Sequence, residues 1–165
     1  MNMISYEKEK KYFKYRIGSI IKKNNRILLC KIEPKDFWML PGGRVNFFES
    51  SLDTLKRELF EELNEKDINI ENLLWTIEDI YENDDRKVHE ISMIYNVLLP
   101  KNSKLFNLDE YLSYEGDLKL FFKWFDIDKI DDILFKPTFL KKRIKKLSVS
   151  FEHIINKEIQ DKILL

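Results

Sequence analysis

Apolar residues follow two rhythms along this chain. From Tyr12 to Lys22 (YFKYRIGSIIK) and from Arg26 to Ile32 (RILLCKI) they crowd together with β-branched side chains, and Asn24 and Asn25 stand between the two runs. Such runs with asparagines between them predict two strands joined in a hairpin. Further strands are predicted over Leu73 to Tyr81, Val88 to Leu99 and Lys119 to Phe125, the last after a loop carrying Tyr114-Glu115-Gly116-Asp117. Trp38 to Leu40 predict a short strand that runs into the sharp turn Pro41-Gly42-Gly43. There the period changes: Leu52, Leu55, Leu59 and Leu63 recur at helical spacing as a narrow stripe. Ser50 and Asp53 supply the signature of a capping box, so this helix is expected to run to about Leu63. A second amphipathic helix is predicted from Pro137, with Phe139, Leu140, Ile144 and Leu147 inside and the Lys141 to Lys146 cluster on a solvated face. The tail beyond it is expected to be helical too. Strands bracketing helices, without repeats or linkers, indicate one α/β domain over residues 1–165, built around a mixed sheet.

Composition removes several functional classes. Lysine plus arginine balance aspartate plus glutamate at 29 each, so no global field draws the chain to nucleic acid or to a membrane surface, and neither is expected as a partner. No stretch approaches the roughly 18 to 20 apolar residues that span a bilayer, and the first residues lack the apolar core of a secretion signal. The single Cys30 lies in an apolar run and reads as a buried thiol. A soluble, cytoplasmic protein is expected. Alanine is absent, which weakens helix assignments made from propensity.

The chemistry concentrates in LPGGRVNFFESSLDTLKRELFEELNE, Leu40 to Glu65. On the predicted helix Glu58 faces Glu62 at i,i+4, and both adjoin the apolar stripe, with Glu61 and Glu65 beyond them. A helix built for stability would set a lysine four residues from Glu58, because like charges there cost a few tenths of a kcal/mol. Burial adds to that cost. A divalent cation removes both penalties, and Mg²⁺ in particular joins one or two carboxylates to substrate phosphates. Asp53, Arg57 and Glu61 follow at i, i+4 and i+8, which can hold Arg57 between two acids while its guanidinium orients a carboxylate outside the helix. Glu49 is the candidate. An acidic helix face alone is more often merely solvated, so the surrounding pattern decides.

That pattern, Gly43, five residues, Glu49, seven residues, then Arg57-Glu58-Leu59-Phe60-Glu61-Glu62, resembles the Nudix box, G-x5-E-x7-R-E-U-x-E-E-x-G-U with U a bulky aliphatic residue. Every charged position matches. The pattern departs at its end, where Asn64 stands for the second glycine and Glu65 for the last aliphatic residue; asparagine suits a left-handed helix end, and Ile68 or Ile70 can return the chain to the core. Trp38-x-Leu40-Pro41-Gly42-Gly43 before the box, and Trp124-Phe125 followed by a proline-started helix, extend the resemblance over about residues 12 to 147.

The resemblance implies a Nudix-type α/β/α sandwich and a Mg²⁺- or Mn²⁺-dependent hydrolase. Its substrate would be a nucleoside diphosphate linked to another moiety: a nucleotide sugar, an ADP-ribose-like compound or a nucleoside triphosphate, with a nucleotide sugar favoured. Carried over by position, Glu58 and Glu62 are the main metal ligands, Glu61 assists a second or bridging metal, the Gly42 carbonyl points at a cation, and Arg57 and Glu49 brace loop and helix. The family's general base varies; Glu115 is the first candidate here and Glu90 the second. Homodimerisation is frequent among such proteins, and a catalytically idle nucleotide sensor is the alternative from another class. Phe47 and Phe48, Trp75, Tyr81 and Tyr95 are expected to serve packing, and His153 no chemistry.

Overall fold

The computed structural model describes residues 3–83 and 85–159. Its architecture follows from the parting of two strands. β1 (Ser5–Lys8), β2 (Lys11–Lys23) and β3 (Arg26–Ile32) come first. Asn24 takes φ 53°, a left-handed conformation that asparagine tolerates, and turns β2 into β3. The hairpin pairs only Lys22 with Ile27 and Lys23 with Arg26. Beyond that the strands separate. β2 runs parallel to β5 (Arg86–Leu98), from Lys11 opposite Lys87 to Ile21 opposite Val97. β3 instead pairs antiparallel with β7 (Leu118–Asp126). With β4 (Asn69–Asn83), β6 (Glu110–Glu115) and β8 (Glu152–Lys157), the order is β6-β7-β3-β2-β5-β4-β8, and β1 adds to β2.

The fork between β2 and β3 is filled by the segment that contains the two glycines. Met39 exchanges backbone hydrogen bonds with Cys30, 2.8 Å each. On the other side Pro41 and Gly43 carbonyls accept from Ser19 and Ile17 N–H (2.9 Å each), and Val45 donates to Tyr15 (3.1 Å). The predicted strand at Trp38 to Leu40 is therefore a series of isolated bridges, and it joins the two halves of the sheet.

Alternation along β2 and β5 divides the core into two layers. Ile17, Ile21, Tyr95 and Val97 pack with Leu55, Leu59 and Leu63 of α1 (Ser51–Leu63). Ile20 and Ile94 pack with Leu40, Phe135 and with Leu140 and Ile144 of α2 (Leu140–Lys145). This is the α/β/α layering expected. Among the described residues no helix is long and apolar enough to cross a membrane.

The structure corrects several expectations. The tail up to Lys157 is a strand, not a helix: β8 pairs parallel with the edge of β4, from Trp75 opposite Glu152 to Ile80 opposite Lys157. Ile154 is buried while Phe151 and Ile155 are exposed, the signature of a strand end; residues 160–165 lie outside the described part. His153, on β8, pairs with Glu78 at 2.8 Å. α2 is shorter than predicted, because Pro137 to Phe139 form turns (Leu140 N–H to Pro137 O, 3.2 Å) before the helix begins. Its cations are partly engaged: Lys141 caps the Ile133 carbonyl at 2.6 Å, Lys145 pairs with Asp131 and Arg143 with Glu152. The loop carrying Tyr114 and Glu115 is in fact β6, closed onto β7 by Gly116 at φ 57°.

Leu52 is 43% exposed, so the apolar stripe of α1 begins at Leu55. The buried face is Thr54, Leu55, Glu58, Leu59, Glu62 and Leu63. Two carboxylates thus sit within the packed face, not at its edge. Phe47 and Phe48 do not pack inward; Phe48 is fully exposed at φ 71°. Truncating the fully buried Leu59 to alanine should lower unfolding free energy by about 2–5 kcal/mol in urea denaturation, the range for buried leucines; a loss under about 1 kcal/mol would show that α1 contributes little to the core.

Candidate active site

α1 starts and stops at defined residues. The Ser50 hydroxyl accepts from Asp53 N–H (3.2 Å) and donates to the Asp53 carboxylate (2.6 Å), which also accepts from Ser50 N–H (3.3 Å). Asp53 is committed to this cap, so it does not flank Arg57 as its spacing suggests. At the other end Asn64 adopts φ 54°, ψ 32°, and its N–H returns to Phe60 O at 2.9 Å. Asparagine here serves as the left-handed stop. Glu65 accepts from the Ser103 hydroxyl, and Ile68 and Ile70 pack against the α1 core in its stead.

The glycine turn fits where no side chain can. Gly42 has φ 133°, and a Cβ there would lie 2.3 Å from the Ile17 carbonyl oxygen. A Cβ on Gly43 would lie 2.1 Å from the Glu58 carboxyl carbon. One glycine is pressed on β2 and the next on the helix. Gly42 N–H also donates to Glu62 Oε2 at 3.1 Å.

Arg57 ties loop to helix. Its Nε and Nη2 grip Glu49 bidentately (2.8 and 3.0 Å), Nη2 also reaches the Arg44 carbonyl (3.1 Å), and Nη1 donates to Glu58 (2.9 Å) and Glu61 (3.1 Å). Glu49 further accepts from the Thr54 hydroxyl (3.0 Å) and the Asn46 side-chain amide (3.2 Å). The Arg57 hydrogen bonds, seconded by Asn46 and Thr54, hold the Glu49 carboxyl down at about 2 against an ordinary 4.5.

Glu58 and Glu62 are opposite in character. They are only 6% and 4% exposed. Burial raises the pKa of Glu58, partly countered by Arg57. Burial, then the neighbouring Glu58, raises Glu62 well above the usual carboxylate range. Glu115, at the end of β6 where that strand packs on α1, adds its charge to both. Glu61 is more exposed and turned to Arg57. Sequence reasoning thus named a group that the fold brings together: Gly42, Glu49, Arg57, Glu58, Glu61, Glu62 and Glu115.

Glu90 belongs elsewhere. It lies on the face of β5 that Ser92 and Ile94 share, bound to Lys14 (2.6 Å) and the Ser92 hydroxyl (2.6 Å). Burial would raise its pKa, but Arg16 and Lys14 outweigh that and lower it. The cations on this face, Lys14 and Arg16, were given no role from the sequence, although charged residues at alternate positions in an apolar strand were a visible signal.

The donors suit a hard divalent cation. Two buried carboxylates with raised pKa values stand over a backbone that leaves no room for a Cβ, an arrangement that added positive charge would relieve. Among the described residues no three Asp, Glu, His or Cys side chains converge as a ready-made metal cluster.

Opposite pH signs follow. Glu49, depressed in the fold, contributes stability that is present above about pH 4.5 and lost as pH falls toward about 2. The melting-temperature gap between wild type and Glu49→Gln should therefore narrow over that acid range. Glu62, raised in the fold, contributes stability below its ordinary pKa and loses it as pH rises. Glu62→Gln in EDTA should melt above wild type at pH 7; a lower melting point would contradict the assignment of Glu62 as a desolvated carboxylate.

The Nudix domain profile matches residues 14–147. No curated protein matches the chain. Among solved structures, a Nudix hydrolase from Nitrosomonas europaea is 21% identical, with 88% of this chain and 79% of that one covered and a TM-score of 0.59. An ADP-ribose pyrophosphatase from Streptococcus suis is 17% identical over 87% of this chain and 98% of its own, TM-score 0.58. The DNA mismatch repair protein MutT of methicillin-resistant Staphylococcus aureus, of the Nudix hydrolase family, is 25% identical over 84% of this chain and 99% of its own, TM-score 0.53. With the profile spanning both halves of the split sheet and the whole of α1, the chain belongs to the Nudix family.

Proposed function

We propose that the protein hydrolyses the phosphoanhydride bond of a nucleoside diphosphate joined to a further group, with Mg²⁺ or Mn²⁺ held by Glu58, Glu62 and the Gly42 carbonyl and assisted by Glu61. The observation that carries this reading is the burial of Glu58 and Glu62 side by side against the glycine turn. Such a pair is costly in a fold that uses it only for packing.

When bound, the cation supplies neutralisation of the diphosphate oxygens and Lewis-acid activation of water. The chain itself supplies position. Arg57, through Glu49, Glu58 and Glu61, fixes the helix against the loop, so the carboxylates do not reorganise as charge develops. Gly42 N–H orients the Glu62 carboxylate. Glu115 is the general base: on the β6 hairpin beside Gly116, it takes the proton of the attacking water. Water oxygen bonds to phosphorus, the anhydride P–O bond breaks, and its electron pair leaves on the departing phosphate. The ADP-ribose pyrophosphatase among the structural neighbours is consistent with a diphosphate substrate.

The test is release of nucleoside monophosphate or phosphate from ADP-ribose, nucleotide sugars, dinucleoside polyphosphates and nucleoside triphosphates. Turnover should require Mg²⁺ or Mn²⁺ and vanish with EDTA, and Glu62→Gln should cost more than about 100-fold. Turnover of no member of the panel, with nucleotide binding intact, would make the protein a sensor. Turnover that survives Glu62→Gln would remove the metal assignment.

A further inference from the structure

We infer that Arg16 and Arg44, with Lys35, form a subsite for a further phosphate group of the substrate, one beyond the diphosphate held at Glu58 and Glu62. The inference rests on the hydrolase reading for the words "beyond the diphosphate", but the subsite itself is argued from other residues.

Arg16 on β2 and Arg44, the residue after the glycine pair, face each other across an isolated antiparallel bridge. Cβ atoms so placed are about 4.5–5.5 Å apart on one face, and like charges directly opposite destabilise a sheet. The charge of Arg16 acts on the partly buried Glu90, but neither arginine is in direct contact with an acid. Among the described residues neither makes an ion pair with a carboxylate, and the Arg16 side chain donates no hydrogen bond. Arg44 has only a 3.5 Å contact to the Met3 sulfur and a place 5.8 Å from the centre of the Tyr12 ring. The nearby Glu90 is already held by Lys14 and Ser92.

Lys35, after β3, lies within reach of the pair's charge: its pKa is lowered by burial and then by Arg16 and Arg44. The charge of Arg16 also bears on Glu62, and Arg44 directly follows the glycine pair whose backbone holds Glu62 and lies against Glu58. Divalent metal at Glu58 and Glu62 already neutralises a diphosphate there. The second cluster is surplus to it. Planar guanidinium forks with free N–H donors match phosphate oxygens.

This selects among the substrates of the preceding reading. A nucleoside triphosphate, or a diphosphate ester whose other half is phosphorylated, fills both clusters. A nucleotide sugar with a neutral sugar leaves Arg16 and Arg44 unpaired.

Two measurements decide it. First, inorganic tripolyphosphate in EDTA should raise the melting temperature of wild type and of Glu62→Gln, but not of Arg16→Gln or Arg44→Gln. Arg44→Gln, freed of a like-charge pair, should itself melt at or above wild type without ligand. Second, KM for a nucleoside triphosphate should rise roughly 10- to 100-fold in either arginine variant, and at least about 10-fold more than KM for a nucleotide sugar, as for loss of a charged hydrogen bond. Arg16→Lys should fall between. No stabilisation by tripolyphosphate, stabilisation kept in both glutamine variants, or equal KM increases for both substrates would overturn the subsite. If the protein hydrolyses nothing but the EDTA measurement gives the arginine-dependent result, the anion site stands and the hydrolase reading alone fails.

Discussion

The clearance at Gly42 and Gly43 is the constraint on which the rest depends. A Cβ added to Gly42 would overlap the Ile17 carbonyl, and one added to Gly43 would overlap the Glu58 carboxyl group. Sheet, turn and helix can approach this closely only at glycine. The closeness is what buries the carboxylates, because a wider turn would let water reach Glu58 and Glu62 and relax their raised pKa values. Taking a carboxylate out of water costs several kcal/mol. Full burial of Leu55, Leu59 and Leu63 contributes about 1.5–3 kcal/mol each, of the same order, so the helix stays docked while carrying its acids inward. Arg57 holds the remaining degree of freedom, the angle of the loop, through its fork on Glu49 and its bond to the Arg44 carbonyl.

A net charge of zero hides a strong local separation of charge. Acids collect on α1, while Arg16 and Arg44 face each other across the bridge between β2 and the segment after the glycine pair. Fields of this kind orient a charged ligand before contact, even though the whole molecule is neutral. The same charges set the state of Glu90: the cations on its own face hold it ionised and bonded.

Local signals made much of this legible. Ser50, Asp53 and Asn64 announced the limits of α1, and the Nudix-box spacing announced the acids, because capping and i,i+4 geometry are set within a few residues. What the sequence hid depends on pairing between distant segments. β1 and β6 carry few apolar residues and exist because a neighbouring edge accepts them. β8 has a run of isoleucines that fits either period, and the free edge of β4 decides for a strand. Leu52 fails to pack because Thr54 and Glu58 take the inward positions once Arg57 and the glycine turn are in place. The Arg16–Arg44 opposition cannot be seen at all until the segment after Pro41 is laid along β2.

The fork between β2 and β3 also bears on how the molecule becomes active. The β2–β3 and β6–β7 hairpins, with the capped start of α1, are local and need only nearby residues to form. The site is not local. The glycine turn takes its position from β2, and β2 is fixed by β5, whose residues lie some way down the chain at Arg86–Leu98. Parallel pairing over such a separation is among the slower events in folding. Competence therefore arrives with the closing of the long-range sheet, and a chain that has formed its hairpins and its helix is still without a place to hold a phosphate.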